Sequence, residues 1–225
     1  MAHRNHEVEY AVIGLGRFGS SLAHHLAARG ASVLGIDRDA ELVQRYADEI
    51  TETAVLDSTD ENAMREVDLF SYHTVVVAIG SNFEASLITT SILKQAGVPN
   101  VIVKALTVRQ KDILLRMGAD RVVLPEHDAG QWLAHQLLHP GVIDYFDIGP
   151  HFTISEMLLP DAWSGRTLRE VDLRAKCGAT ILVVRRGSEV HAVPPPGFVL
   201  ERGDAVVICG THKAIEVISE LGKNS

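Results

Sequence analysis

The sequence predicts an α/β protein: a Rossmann-like, doubly wound parallel sheet followed by a small α+β domain. Three observations carry this reading. Gly14-Leu15-Gly16-Arg17-Phe18-Gly19 stands between an apolar run, residues 10–13, and a helix-forming stretch, residues 20–29. Asp37 closes a second apolar run 23 residues after Gly14. Short β-branched runs then alternate with amphipathic stretches through residues 1–140, the pattern of a parallel sheet covered on both faces.

Residues 10–13 make the first strand. In the turn that follows, Gly14 permits the tight bend, Gly16 lets phosphate oxygens approach the backbone, and Gly19 lets helix and strand pack closely. The amides freed at the helix start attract an anion. Residues 32–37 form the second strand and end on Asp37, a carboxylate that would accept from ribose hydroxyls and repel a 2′-phosphate. Adenosine nucleotides or NAD(H) are therefore favoured, although Arg38, next in the chain, is the group that would meet a 2′-phosphate. Strands follow at 53–56, 74–79, 101–104 and 121–124, with helices at 40–47, 63–67, 83–96, 108–117 and 130–138. Gly30, Gly97 and Gly118 fall where helix C-terminal caps belong. Six strands joined by right-handed crossovers complete the sheet.

The periodicity breaks around His139-Pro140-Gly141. A first domain, 1–140, is thus expected to lead through a connector, 141–150, into a second domain, 151–225. There, strands are read at 152–158, 181–185, 190–192 and 205–209, a short helix at 168–172 and a last helix at 213–221. The run Pro194-Pro195-Pro196-Gly197 makes a stiff turn that cannot lie in a central strand.

Composition excludes several classes. The 225 residues are 46% hydrophobic, enough for a full core, yet no apolar stretch approaches the roughly 18 residues that cross a bilayer. Residues 1–9 are polar and lack the apolar core of a signal peptide, so a cytoplasmic location is expected. A formal net charge of -8 argues against nucleic-acid binding, which needs a basic face. Cys177 and Cys209, widely spaced among small or apolar residues, suit reduced, buried thiols. The 11 histidines show no metal-binding spacing.

Among the charged residues, Arg17 lies inside the glycine loop, where its guanidinium could reach terminal phosphates; the plainer reading is a solvated surface charge. Lys104 ends the fifth strand and would either add charge near the phosphates or pair with an acid across a subunit interface. Ile79 leads into Gly80-Ser81-Asn82, a flexible loop with free amides near a nucleotide, in which Ser81 or Asn82 would also cap the next helix.

The motifs resemble a known family. Residues 11–19, then Asp57-Ser58-Thr59-Asp60-Glu61, residues 77–85, and residues 117–122 leading to Pro125-Glu126 are similar to the cytosolic RCK gating subunits of the Ktr/Trk bacterial potassium uptake systems. Residues 172–176 and 200–210 resemble the C-terminal ligand-binding subdomain of that family. The resemblance implies a chain that binds ATP or ADP, with NAD(H) an alternative in the same site, around residues 14–19, Asp37, Arg38, Asp57, Ser58, residues 79–82 and Lys104. It implies dimers within a homo-octameric ring docked beneath a membrane potassium channel subunit, gating without catalysis. It implies that Glu126 helps hold Mg²⁺ or Ca²⁺ between two subunits, with helix stabilisation an equal use of the side chain. It also implies a cyclic dinucleotide at the C-terminal domain, near Arg174, Lys176 and Pro195. Where the family often has glycine before Asp57, this chain has Leu56. An NAD-dependent oxidoreductase or an NAD(H)-sensing regulator is the rival, but no acid–base constellation is legible and the last 75 residues leave little for a substrate domain.

Overall fold

The computed structural model describes residues 9–139 and 141–221; Met1–Val8, Pro140 and residues 222–225 lie outside the described residues. The chain divides into two compact units between Ala129 and Gly130.

The first unit alternates strand and helix: β1 (Glu9–Ile13), α1 (Arg17–Ala27), β2 (Ser32–Asp37), α2 (Ala40–Tyr46), β3 (Glu52–Val55), α3 (Glu61–Glu66), β4 (Thr74–Val77), α4 (Phe83–Gln95), β5 (Asn100–Lys104), α5 (Val108–Arg116) and β6 (Arg121–Val123). The six strands run parallel, as the sequence predicts, and lie in the order β3-β2-β1-β4-β5-β6. Alternation along the strands feeds two cores. Ala11 and Ile13 of β1, Leu34 and Ile36 of β2, and Val75 and Val77 of β4 pack on one face. Val12, Val33 and Val76 pack on the other, against Leu15, Ala23 and Val43. Each such side chain taken fully out of water stabilises the unit by roughly 1.5–3 kcal/mol. With both faces covered, Thr74–Val77 is buried at every position, which is why the central strands read as unbroken apolar runs.

The order of β1 and β4 reverses the winding of the sheet, and the crevice at their carboxyl ends is where such folds take ligands. Two backbone bonds close this end: Gly14 donates to the Ile36 carbonyl at 2.7 Å, and Ala78 to the Ile13 carbonyl at 2.7 Å.

A helix, α6 (Pro125–Leu138), crosses the division between the units. It starts at Pro125, not at residue 130, because proline suits the first helical position and Glu126 and Asp128 favour a first turn. The second unit holds a five-stranded antiparallel sheet in the order β10-β9-β11-β8-β7. Its strands are β7 (Val142–Asp147), β8 (Phe152–Leu158), β9 (Thr180–Arg186), β10 (Glu189–Ala192) and β11 (Ala205–Thr211), with α7 (Leu168–Val171), α8 (Leu173–Cys177) and α9 (His212–Leu221). Residues 142–147, expected as connector, are an edge strand paired to β8 alone. The one short helix expected near residue 170 is two, because Asp172 adopts left-handed φ of 46°, ending α7 and capping α8. Cys177 and Cys209 are free and half-buried. Among the described residues, no helix is long and apolar enough to cross a membrane.

Candidate functional site: the glycine-loop cleft

A cleft of about 380 Å³ opens at the carboxyl end of the parallel sheet. Gly14 turns the chain out of β1 with φ of 97°, a left-handed conformation that a side chain resists. Gly19 packs so tightly on this turn that a Cβ there would overlap the Gly14 carbonyl oxygen. Gly16 is the N-cap of α1 and carries no side-chain cap, and the first turn has no acidic residue. By contrast α2, α3, α4 and α5 start under Asp39, Asp60, Asn82 and Thr107, whose side chains accept from backbone amides. The positive end of α1 is therefore left open toward the crevice.

Asp37 braces the loop. Its Oδ2 accepts from the Leu15 amide at 2.7 Å, and its Oδ1 from the Asp39 amide at 2.9 Å. One carboxylate thus ties the glycine turn to the β2–α2 turn while still lining the cleft. On the neighbouring loop after β3, Asp57 Oδ1 accepts from the Thr59 amide at 2.9 Å and hydroxyl at 2.7 Å. These bonds, with help from the Arg38 charge, hold its carboxyl below the usual range, so it is anionic at neutral pH. Ser58 is buried beneath, its hydroxyl 2.8 Å from that of Thr89 on α4.

Of the residues singled out from sequence, Gly14, Gly16, Asp37, Arg38, Asp57, Ser58, Ile79, Gly80, Ser81 and Asn82 line the cleft. Asn82 also caps α4, accepting from the Ala85 amide at 3.0 Å. Leu15, Arg17, Phe18, Gly19 and Lys104 are not in its lining. Leu15 turns inward and is fully buried, Gly19 is buried in the helix–strand contact, and Arg17 is exposed at the start of α1. Lys104, nearly buried, reaches Glu126 of the same chain at 2.7 Å and lies 5.6 Å above the Phe18 ring. That bond is the chief cause holding the Glu126 carboxyl below its ordinary range; the Arg17 charge adds to it. Among the described residues, no group of three or more His, Cys, Asp and Glu is placed to hold a metal ion.

Sequence reading missed Ile13, Asp39, Leu42, Leu56, Thr59, Ala78 and Ala85, which complete the wall. Leu42 is legible in hindsight: it follows the Asp39 cap by three residues, which sets it on the same side of α2.

Comparison with known proteins decides the family. Residues 10–125 match the TrkA-N domain and residues 154–221 the TrkA-C domain. The chain belongs to the TrkA-N/TrkA-C family. It is 36% identical over 203 residues to Ktr system potassium uptake protein C of Bacillus subtilis, covering 90% of this chain and 92% of the relative. Identity to protein A of the same system and organism is 35% over 214 residues, covering 95% and 96%. The resemblance drawn from the sequence motifs is thereby borne out, and the chain is a homologue of the Ktr proteins. The fold agrees with solved structures. A GsuK channel bound to NAD superposes with a TM-score of 0.53 at 20% identity, covering 100% of this chain and 40% of that one. The NAD(P)-binding domain of an exopolyphosphatase-related protein from Archaeoglobus fulgidus superposes with a TM-score of 0.52 at 29% identity, covering 58% and 98%.

Proposed function

We propose that this chain is a cytoplasmic regulatory subunit of a Ktr-type potassium uptake system, which binds an adenine nucleotide in the glycine-loop cleft and controls a membrane subunit without catalysing a reaction. The observation that carries this reading is the uncapped start of α1 at a cleft that Asp37, bonded to the glycine loop, also lines. Phosphates would take the open amides at the start of α1, after Gly16, and ribose hydroxyls would donate to Asp37. NAD(H) presents the same adenosine and diphosphate and fits the same reading. With Asp37, Asp39 and Asp57 on its walls, the cleft disfavours a 2′-phosphate. The lining offers amides, hydroxyls and carboxylates, a set suited to holding a nucleotide.

Arg17, exposed at the mouth of the loop, is the group we assign to discriminating ATP from ADP. A unit charge pair at about 4 Å is worth about 4 kcal/mol gross at an effective dielectric of 20. A net difference of about 2 kcal/mol would shift a two-state assembly about thirtyfold. The assembly we infer is a homo-octameric ring of dimers, the form that lets one conformational change act on a channel. Glu126 would join a Mg²⁺ or Ca²⁺ site only with oxygens from a second subunit and the nucleotide, since one carboxylate is too few for a hard cation. In the second unit, a cavity of about 370 Å³ lined by Arg169, Arg174, Thr180, Pro194 and Pro196 is where a cyclic dinucleotide would sit. Lys176 and Pro195 are not in that lining.

Arg17→Ala tests the discrimination. Calorimetry should show ATP binding weakened about tenfold or more and ADP binding weakened about twofold or less. Equal losses for both would refute the assignment of Arg17. Size-exclusion of the purified chain should give a large ring, and elution as a monomer would contradict the gating reading.

A further inference from the structure

The second half of α6 is fastened within its unit by titratable side chains that the glycine-loop cleft does not use. His135 has Nδ1 sealed from solvent and, among the described residues, without a hydrogen-bond partner. Its ring centroid lies 4.0 Å from that of Tyr145 on β7 and 4.5 Å from that of His139, the residue that follows α6. His139 Nδ1 is 3.4 Å from the Ser219 hydroxyl of α9, which also donates to the Glu216 carbonyl at 2.8 Å. On either side of His135, Trp132 donates its indole N–H to Asp144 at 2.9 Å, and the Gln136 amide donates to the Ile143 carbonyl. At the start of α9, His212 Nδ1 stands 3.7 Å from Asp147 of β7.

The charged and titratable groups facing His135 are thus His139 just past the end of its helix, Tyr145 and Asp147 on β7, and His212 and Glu216 on α9. Burial pushes the His135 imidazole below its ordinary value, and His139 and His212 push the same way; Asp147 and Glu216 oppose them without reversing the result. A proton on Nδ1 would put a donor in a solvent-sealed position where no acceptor is placed among the described residues.

We propose that His135 is a proton-sensitive latch: neutral, it stacks between His139 and Tyr145 and holds the C-terminal half of α6 against β7 and α9; protonated, it releases them. Because the folded imidazole binds its proton less readily than the unfolded one, the latch is at full strength above the ordinary value of 6.5 and weakens as pH falls below it. The device is independent of nucleotide and would make α6, the element that crosses between the units, responsive to acidification.

Hydrogen exchange on the full chain tests it, read at pH 7.5 and 5.5 with times scaled for the intrinsic rate. Peptides covering residues 131–139 should lose about tenfold in protection at the lower pH, while β1 and β4 keep theirs. In His135→Leu, and independently in His135→Gln, that segment-specific loss should vanish; one folded variant suffices. Equal protection of 131–139 in the native chain at both pH values would overturn the proposal. So would a variant that keeps the full loss.

Discussion

Replacing Gly19 with Ala is expected to destabilise the first unit by about 3 kcal/mol or more and to abolish nucleotide binding. The added methyl would collide with the Gly14 carbonyl oxygen and stand 3.0 Å from the Ala78 side chain, both fixed by the closing bonds of β1 and β4. A backbone atom cannot swing aside as a side-chain end can, so the cost is of the overpacking kind at its upper end. Gly16→Ala is the contrasting change. Its Cβ meets nothing within 4 Å and its φ is an ordinary -66°. The fold should be unaffected, while the methyl stands where phosphate oxygens approach, so affinity should fall about tenfold or more at unchanged melting temperature. Thermal unfolding with calorimetry of the two variants separates the roles; Gly19→Ala that melts and binds like the native chain would contradict this account of the loop.

Arg186→Leu is expected to cost the second unit about 3–5 kcal/mol. Asp204 is fully buried, and Arg186 engages both its oxygens, Nε to Oδ1 at 2.8 Å and Nη2 to Oδ2 at 2.9 Å. The same guanidinium binds Glu201 at 2.6 Å and the Val199 carbonyl at 2.9 Å, with the Phe198 ring 5.4 Å away. Leucine would leave a buried carboxylate with the Glu201 amide as its remaining partner. Arg185→Ala, one residue earlier, breaks only a partly exposed pair with Glu156 and should cost about 1 kcal/mol or less. The Arg186 hydrogen bonds are the main cause holding the Asp204 carboxyl below its ordinary 3.8. The stability they contribute is complete above that pH and is lost as pH falls further, through the folded-state value. The Leu variant should therefore show a shallower loss of melting temperature below about pH 4 than the native chain.

The parallel sheet was legible because its strands are buried on both faces, so 10–13, 32–37 and 74–77 stand out as apolar runs between caps and glycines. Residues 142–147 were not, because β7 is an edge strand with one buried position, Val142, and three of its six positions exposed. Phe146 is 70% exposed, so its hydrophobicity says nothing of a core. In the cleft, glycine spacing located the loop, and a terminal aspartate located the wall beside it. What spacing could not give was the direction of side chains within the loop. Leu15 turns into the core and Arg17 away from the lining, a consequence of where α1 begins. Lys104 was expected beside phosphates or across an interface; it pairs with Glu126, 22 residues on, a contact set by the packing of β5 against the start of α6.

The account rests on the glycine-loop cleft taking an adenine nucleotide through its diphosphate and ribose. Calorimetric titration of nucleotide-free protein with ADP, ATP, NADH and NADPH tests this most directly. One molecule of ADP or ATP per chain should bind with micromolar or better affinity, and NADPH at least about tenfold more weakly than NADH. Absence of heat with all four, or NADPH binding as tightly as NADH, would contradict it.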